Sequence, residues 1–161
     1  MSNGNVSFRS VNLSTRYIRH QNFLAELQEI ADADDLAKHD ASFVFHPGLA
    51  SSEFGDGTGS YEAVSSGLQN FFLRHQDFRL KLQERPQDGD PAQKQFDLDA
   101  TFFINTGLVQ ASPLNGGDII SLGAVNHPMN LRHSFFHLIL TAINTDQDML
   151  DATFEVQNSF V

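Results

Sequence analysis

The sequence predicts an all-β fold assembled from three copies of one unit, and two observations carry that reading. The first is an ordered set of motifs that occurs three times. Arg-His stands at Arg19-His20, Arg74-His75 and Arg132-His133, each after Ile or Leu. An Asp-Ala-Ser/Thr-Phe segment follows at Asp40–Phe43, Asp99–Phe102 and Asp151–Phe154. The second is strand periodicity: Phe78-Arg79-Leu80-Lys81-Leu82 alternates apolar and charged residues, the signature of a half-buried strand.

Each copy begins with a strand-like run: Ser7–Val11, Ser60–Val64 and Ser121–Val125 align with one another. After Arg-His comes a second apolar run at Phe23–Leu27, Phe78–Leu82 and Phe136–Leu140. Ser42–Phe45 and Ala100–Ile104 read as short buried strands. Pro47-Gly48-Leu49 is echoed by Thr106-Gly107-Leu108, and the third copy reaches the end of the sequence before that point. The copies span about 6–50, 60–109 and 119–161, within a single domain of residues 1–161. The connectors Ser51–Gly59 and Gln110–Asp118 have loop composition. Leu24–Ala37 has helix-forming residues, but Pro86 and Pro91 stand near the equivalent place in the second copy. It is therefore read as strand followed by acidic loop. About four strands per copy, closing on one axis, leave no long free edge.

Composition narrows the functions. Lys+Arg total 10 against 20 Asp+Glu, a net charge of −10, so nucleic acid and anionic membrane surfaces are repelled. With no cysteine there is no disulfide, thiolate metal site or cysteine nucleophile. No apolar stretch has the length that crosses a bilayer, so membrane insertion is not expected. The polar residues 1–5 show no signal-peptide pattern, and the compartment, secreted or cytoplasmic, stays open. Fifteen Phe against two Tyr and no Trp read as core rings, with no flat platform for an extended polysaccharide face.

The motifs resemble the arabinofuranose-binding (AbfB) domain, the family 42 carbohydrate-binding modules attached to α-L-arabinofuranosidases. The likeness rests on Val11-Asn12, Tyr17-Ile18-Arg19-His20-Gln21-Asn22-Phe23, Asp40-Ala41-Ser42-Phe43 and Pro47-Gly48-Leu49, with their counterparts in the other copies, over about residues 6–158. The resemblance implies a β-trefoil with pseudo-threefold symmetry and a non-catalytic, lectin-like role. It also implies one sugar pocket per copy: His20 with Asp40, His75 with Asp99 and His133 with Asp151. The ligand implied is terminal L-arabinofuranose or a similar side-chain sugar on a decorated polysaccharide, with no cofactor. An imidazole and a carboxylate together fix a vicinal diol. The third copy departs most: Asn130 stands where an aromatic is expected, and Ser134-Phe135-Phe136 replaces a polar pair followed by Phe.

Other readings stand beside this one. The Arg residues read as structural braces, and the three Asp also suit turn formation. Three dispersed His do not make a zinc site. Asn144–Asp148 has oxygens at alternate positions, but Met149 occupies the glycine position of a Ca²⁺ loop. One carboxylate per copy does not supply the pair that glycoside hydrolysis uses, and no hydrolase or nucleotide motif occurs. The alternative function is a protein-interaction or receptor-targeting module with a protein partner.

Overall fold

The computed structural model describes residues 4–161, so the signal-peptide reading at residues 1–3 lies outside the described residues. Twelve strands form the body: β1 Asn5–Ser10, β2 Arg16–Gln21, β3 Leu24–Glu29, β4 Phe43–Pro47, β5 Thr58–Ala63, β6 Phe71–Gln76, β7 Arg79–Glu84, β8 Phe102–Thr106, β9 Asp118–Ala124, β10 Asn130–Ser134, β11 His137–Thr141 and β12 Phe154–Asn158. Four short helices interrupt them: α1 Asp35–Asp40, α2 Ser51–Phe54, α3 Gln93–Asp99 and α4 Asp146–Asp151.

β1, β12, β9, β8, β5 and β4 pair in a closed antiparallel ring. The hairpins β2–β3, β6–β7 and β10–β11 rise from it. The expected β-trefoil is corrected to a closed antiparallel β-barrel. The hairpins do not form a separate cap: β2, β6 and β10 are bonded to β1, β5 and β9, and β3, β7 and β11 are bonded to one another. All twelve strands therefore share one sheet. The physical reason is that backbone N–H and C=O groups at hairpin edges find partners in neighbouring strands, so the ladder has no boundary.

The alternating pattern predicts the inward residues of β3, β7 and β11, but not the Phe that opens each run, which lies in the hairpin turn. Leu80 and Leu82 point inward with Arg79, Lys81 and Gln83 outward, and Ala25/Leu27 and Leu138/Leu140 repeat this. Ile18–Leu27, Leu73–Leu82 and Leu131–Leu140 are direct cross-strand pairs. Phe43, Phe102 and Phe154, the last residues of the triplicated motif, are fully buried beside Phe8 and Tyr61. Phe8 meets Tyr61 edge-on at 4.9 Å.

Not all the Phe are core, which corrects the composition reading. The hairpin turns Asn22-Phe23, Asp77-Phe78 and Phe135-Phe136 have both residues at positive φ, between 48° and 63°. Two-residue hairpin loops of this hand match the sheet twist. Each second Phe carbonyl accepts an N–H from the next hairpin: Leu82 to Phe23 (2.9 Å), Leu140 to Phe78 (2.9 Å) and Leu27 to Phe136 (2.7 Å). Pinned this way, the rings of Phe23, Phe78, Phe135 and Phe136 face solvent.

The region read as acidic loop is also corrected. After β3, Asp35–Asp40 is helical, capped by the Asp34 carboxylate on Ala37 N–H. The triplicated Asp is thus the last residue of a short helix in every copy, not the start of a turn. The motif explains its own geometry. Ala41, Ala100 and Ala152 close the helices and are fully buried. The hydroxyls of Ser42, Thr101 and Thr153 donate at 2.7 Å to the carbonyls of Lys38, Asp97 and Met149. The segment weighed as a Ca²⁺ loop is a helix start: Thr145 and Asp148 form a capping box. The connector read as loop at Ser51–Gly59 contains α2.

Candidate functional site

β2, β6 and β10 carry Arg and His on adjacent positions, and α1, α3 and α4 end on the Asp that meets them. The three predicted pairs come together. His Nε2 lies 3.6 Å from Asp40 Oδ1 for His20, 3.7 Å from Asp99 Oδ1 for His75, and 3.5 Å from Asp151 Oδ1 for His133. All six residues are buried, with 4–8% of their surface exposed. Each pair is in place, largely buried and already hydrogen-bonded to neighbouring side chains.

The neighbouring Arg completes each cluster. Arg19 Nη2 donates to Asp40 Oδ2 at 3.2 Å, Arg74 Nη2 to Asp99 Oδ2, and Arg132 Nη1 lies 3.5 Å from Asp151 Oδ2. The guanidinium is itself braced on the adjoining strand by Gln28, Gln83 or Thr141. A bound carboxylate of this kind is held as an acceptor.

The sequence reading missed that each cluster is closed by the following copy. Asn126 Nδ2 donates to Asp99 Oδ1 at 2.8 Å, and its Oδ1 lies 2.9 Å from His75 Nε2. Asn12 does the same for Asp151 and His133, at 2.8 and 2.9 Å. In the first cluster the bridging residue is Ser65, 3.1 Å from Asp40 Oδ1 and 3.4 Å from His20 Nε2. Gln95 and Gln147, one helical turn before Asp99 and Asp151, also donate to them at 2.9 and 2.8 Å. Leu36 holds that position in the first copy. The signal was present: Val11-Asn12 and Val125-Asn126 sit in register with Val64-Ser65. Only tertiary structure shows that their partners lie one copy back.

The Asn bridge sets the imidazole tautomer. With Asn126 donating to Asp99, its oxygen faces His75, so Nε2–H donates and Nδ1 is the acceptor of the neutral ring. Burial pushes the pKa values of His20, His75 and His133 below the ordinary value. The Asn126 bond and Asp99 for His75, and the facing Asp for the other two, oppose that shift; the adjacent Arg adds to it. A histidine held neutral must charge on acidification, so the unfolded chain takes up protons first. Stability is therefore whole above the ordinary value of about 6.5 and is lost as pH falls through the lowered folded values. NMR titration of the imidazole protons is expected to place all three below about 6.5. The urea midpoint is expected to fall over the same window; titration at or above 6.5 would contradict the arrangement.

Around His75 and Asp99 lies a hollow of about 330 Å³, whose walls include Gln76, Asp77, Phe78, Gln95 and His127. The His127 ring centre stands 5.5 Å from that of His75 and 6.2 Å from that of Phe78. Neither reads from sequence as a site residue: Phe78 reads as the start of the alternating strand, and His127 is given no role. Among the described residues, no group of three or more His, Asp or Glu is placed to hold a metal ion, and no helix is long and apolar enough to cross a membrane.

Residues 6–156 match the family model described as the alpha-L-arabinofuranosidase B (ABFB) domain. No curated protein sequence matches the chain. Among solved structures, a GH54 α-L-arabinofuranosidase soaked with 4-nitrophenyl α-L-arabinofuranoside is 28% identical, with a TM-score of 0.79, over 100% of this chain and 32% of that one. An arabinofuranosidase complexed with arabinofuranosyl-α-1,2-xylobiose is 28% identical, with a TM-score of 0.78, over 99% and 32%. The chain thus spans about a third of the length of these enzymes. A Macrolepiota procera ricin B-like lectin in complex with lactose matches over 98% of this chain and 97% of that one, at 12% identity and a TM-score of 0.60, a likeness of fold.

Proposed function

The chain belongs to the AbfB domain family of carbohydrate-binding modules, and on that premise we propose that it is a non-catalytic, lectin-like module taking terminal L-arabinofuranose or a similar sugar at its His–Asp clusters. The observation that carries the reading is the hollow at His75 and Asp99, where an oriented imidazole, a carboxylate and an aromatic ring meet. Its volume, about 330 Å³, lies at the small end of ligand sites, about 300–1,000 Å³, and suits one ring sugar. A sugar hydroxyl donates to His75 Nδ1, a neighbouring hydroxyl to the carboxylate edge, and the ring's C–H face lies on Phe78. The clusters at His20–Asp40 and His133–Asp151 offer the same pair with different surroundings.

Asp99 accepts bonds from Arg74, Asn126 and Gln95, which fix the carboxylate in place beside the hollow. Several weak pockets on one molecule gain avidity on a branched glycan. Native affinity gels containing arabinoxylan or branched arabinan are expected to retard the protein relative to a gel without polysaccharide. Free migration in both, together with no signal on a glycan array, overturns the sugar reading and leaves the protein-interaction alternative.

A further inference from the structure

The three copies differ at one rung of the barrel, where the first strand of each copy meets its second. Arg9 stands opposite Tyr17 and Glu62 opposite Phe72, whereas Gly123 stands opposite Asn130. In the first copy that space is filled by the buried Arg9–Glu155 pair. In the second, Glu62 is held by His46 at 2.7 Å and by Asn70 N–H at 2.7 Å, with the His46 ring against Phe72. In the third, the facing strand brings Phe103 opposite Gly123. A Cβ on Gly123 would stand 3.5 Å from Asn105 Nδ2, 3.8 Å from Phe103 Cβ and 3.9 Å from Asn130 Nδ2, ordinary contacts that leave room for a side chain.

The missing side chain leaves an open hollow of about 500 Å³, lined among others by Phe103, Asn105, Gly123, Asn126, His127 and Asn130. Among the described residues, no Asp, Glu, Lys or Arg lines it. Carboxamides that both donate and accept, beside one aromatic ring on a glycine floor, match a neutral polyol better than an ion or an apolar chain. The hollow adjoins the His75–Asp99 site. His127 stands in the walls of both, and Asn126 lines this one while its amide bonds His75 and Asp99.

We propose that the hollow over Gly123 is a second sugar subsite, taking the neutral glycan residue to which the terminal sugar at His75–Asp99 is attached. This rests on the carbohydrate reading of that first site and deepens it: the ligand is a branched neutral oligosaccharide, read across the Asn126–Met129 turn. In the first two copies Arg9/Tyr17 and Glu62/Phe72 occupy the equivalent rung.

The test is an NMR titration of the ¹⁵N-labelled protein with methyl α-L-arabinofuranoside and with arabinofuranosyl-α-1,2-xylobiose. Both probes are expected to shift resonances around His75. Only the trisaccharide is expected to shift the Gly123 amide and the Asn105 and Asn130 side-chain amides, and to bind this site about tenfold more tightly. Gly123→Gln, and independently Asn130→Tyr, are expected to bring that tenfold ratio to about one. A trisaccharide that leaves Gly123 unshifted, or a ratio that survives in both variants, overturns the second subsite while the first stands. Silence from both sugars at every cluster, together with no signal on a glycan array, overturns the carbohydrate reading itself; silence from both sugars with a signal on the array overturns this subsite alone. Asn130→Tyr restores a residue type already accommodated in the first copy, so it reads the subsite even where Gly123→Gln disturbs folding.

Discussion

Glu155→Ala is expected to cost about 3–5 kcal/mol of folding stability, a fall in Tm of roughly 6–20 °C for a chain of this size. Glu155 is fully buried on β12 and receives Arg9 Nε at 2.8 Å and Nη2 at 2.5 Å. The same carboxylate accepts the backbone N–H groups of Leu114, Asn115 and Gly117 at 3.1, 2.8 and 3.1 Å. Burial alone would raise its pKa; Arg9 and those three N–H groups outweigh burial and hold it below the ordinary range. Truncation leaves a buried guanidinium without its partner and frees three N–H groups in the loop before β9. An apolar pair, Arg9→Met with Glu155→Leu, removes the stranded charge, yet the loop donors still lack an acceptor. The double variant is therefore expected to recover only part of the loss, read by urea denaturation. Full recovery would show that the ion pair alone set the cost, and a loss under about 1 kcal/mol for Glu155→Ala would contradict the arrangement.

Asp99→Ala is expected to lower affinity at the His75 site by at least about thirtyfold, the scale of losing a charge-assisted hydrogen bond. It also strips an acceptor from Arg74, Asn126 and Gln95, so a stability cost of about 1–3 kcal/mol is expected with the fold retained. Asp99→Asn separates the two effects, keeping the side chain's shape while removing its charge. Titration with methyl α-L-arabinofuranoside, followed at the His75 resonances beside a thermal melt, checks both. Binding within about threefold of the parent in a folded Asp99→Ala protein would show that the carboxylate braces Arg74 and does not hold the sugar.

Much of this site was legible in the chain because its parts are local. Arg-His and Asp-Ala-Ser/Thr-Phe recur in the same order in every copy, and three repetitions raise them above chance. The short helices were not legible. Six or seven residues are under two turns, too few to show a 3.6-residue period, and such helices form only against a packed body. The exposed Phe rings were misplaced because composition counts side chains without seeing backbone. Phe23, Phe78 and Phe136 face outward because a left-handed two-residue turn puts them there. The trefoil expectation gave way because pairing between hairpins depends on edges far apart in the chain.

The amino-acid order alone determined the repeated strand pattern and the inward leucines, since these follow from residue type and short spacing; the pairing of each His with its own Asp came from the resemblance to the family. Tertiary structure alone decided that Asn126 and Asn12 complete clusters belonging to the preceding copy, that Glu155 neutralises Arg9 across the barrel seam, and that Gly123 opens a hollow where its counterparts fill one. The reason is closure. When a chain shuts into a barrel, residues more than a hundred positions apart share one desolvated space, and which polar groups are satisfied there depends on geometry that no local window contains.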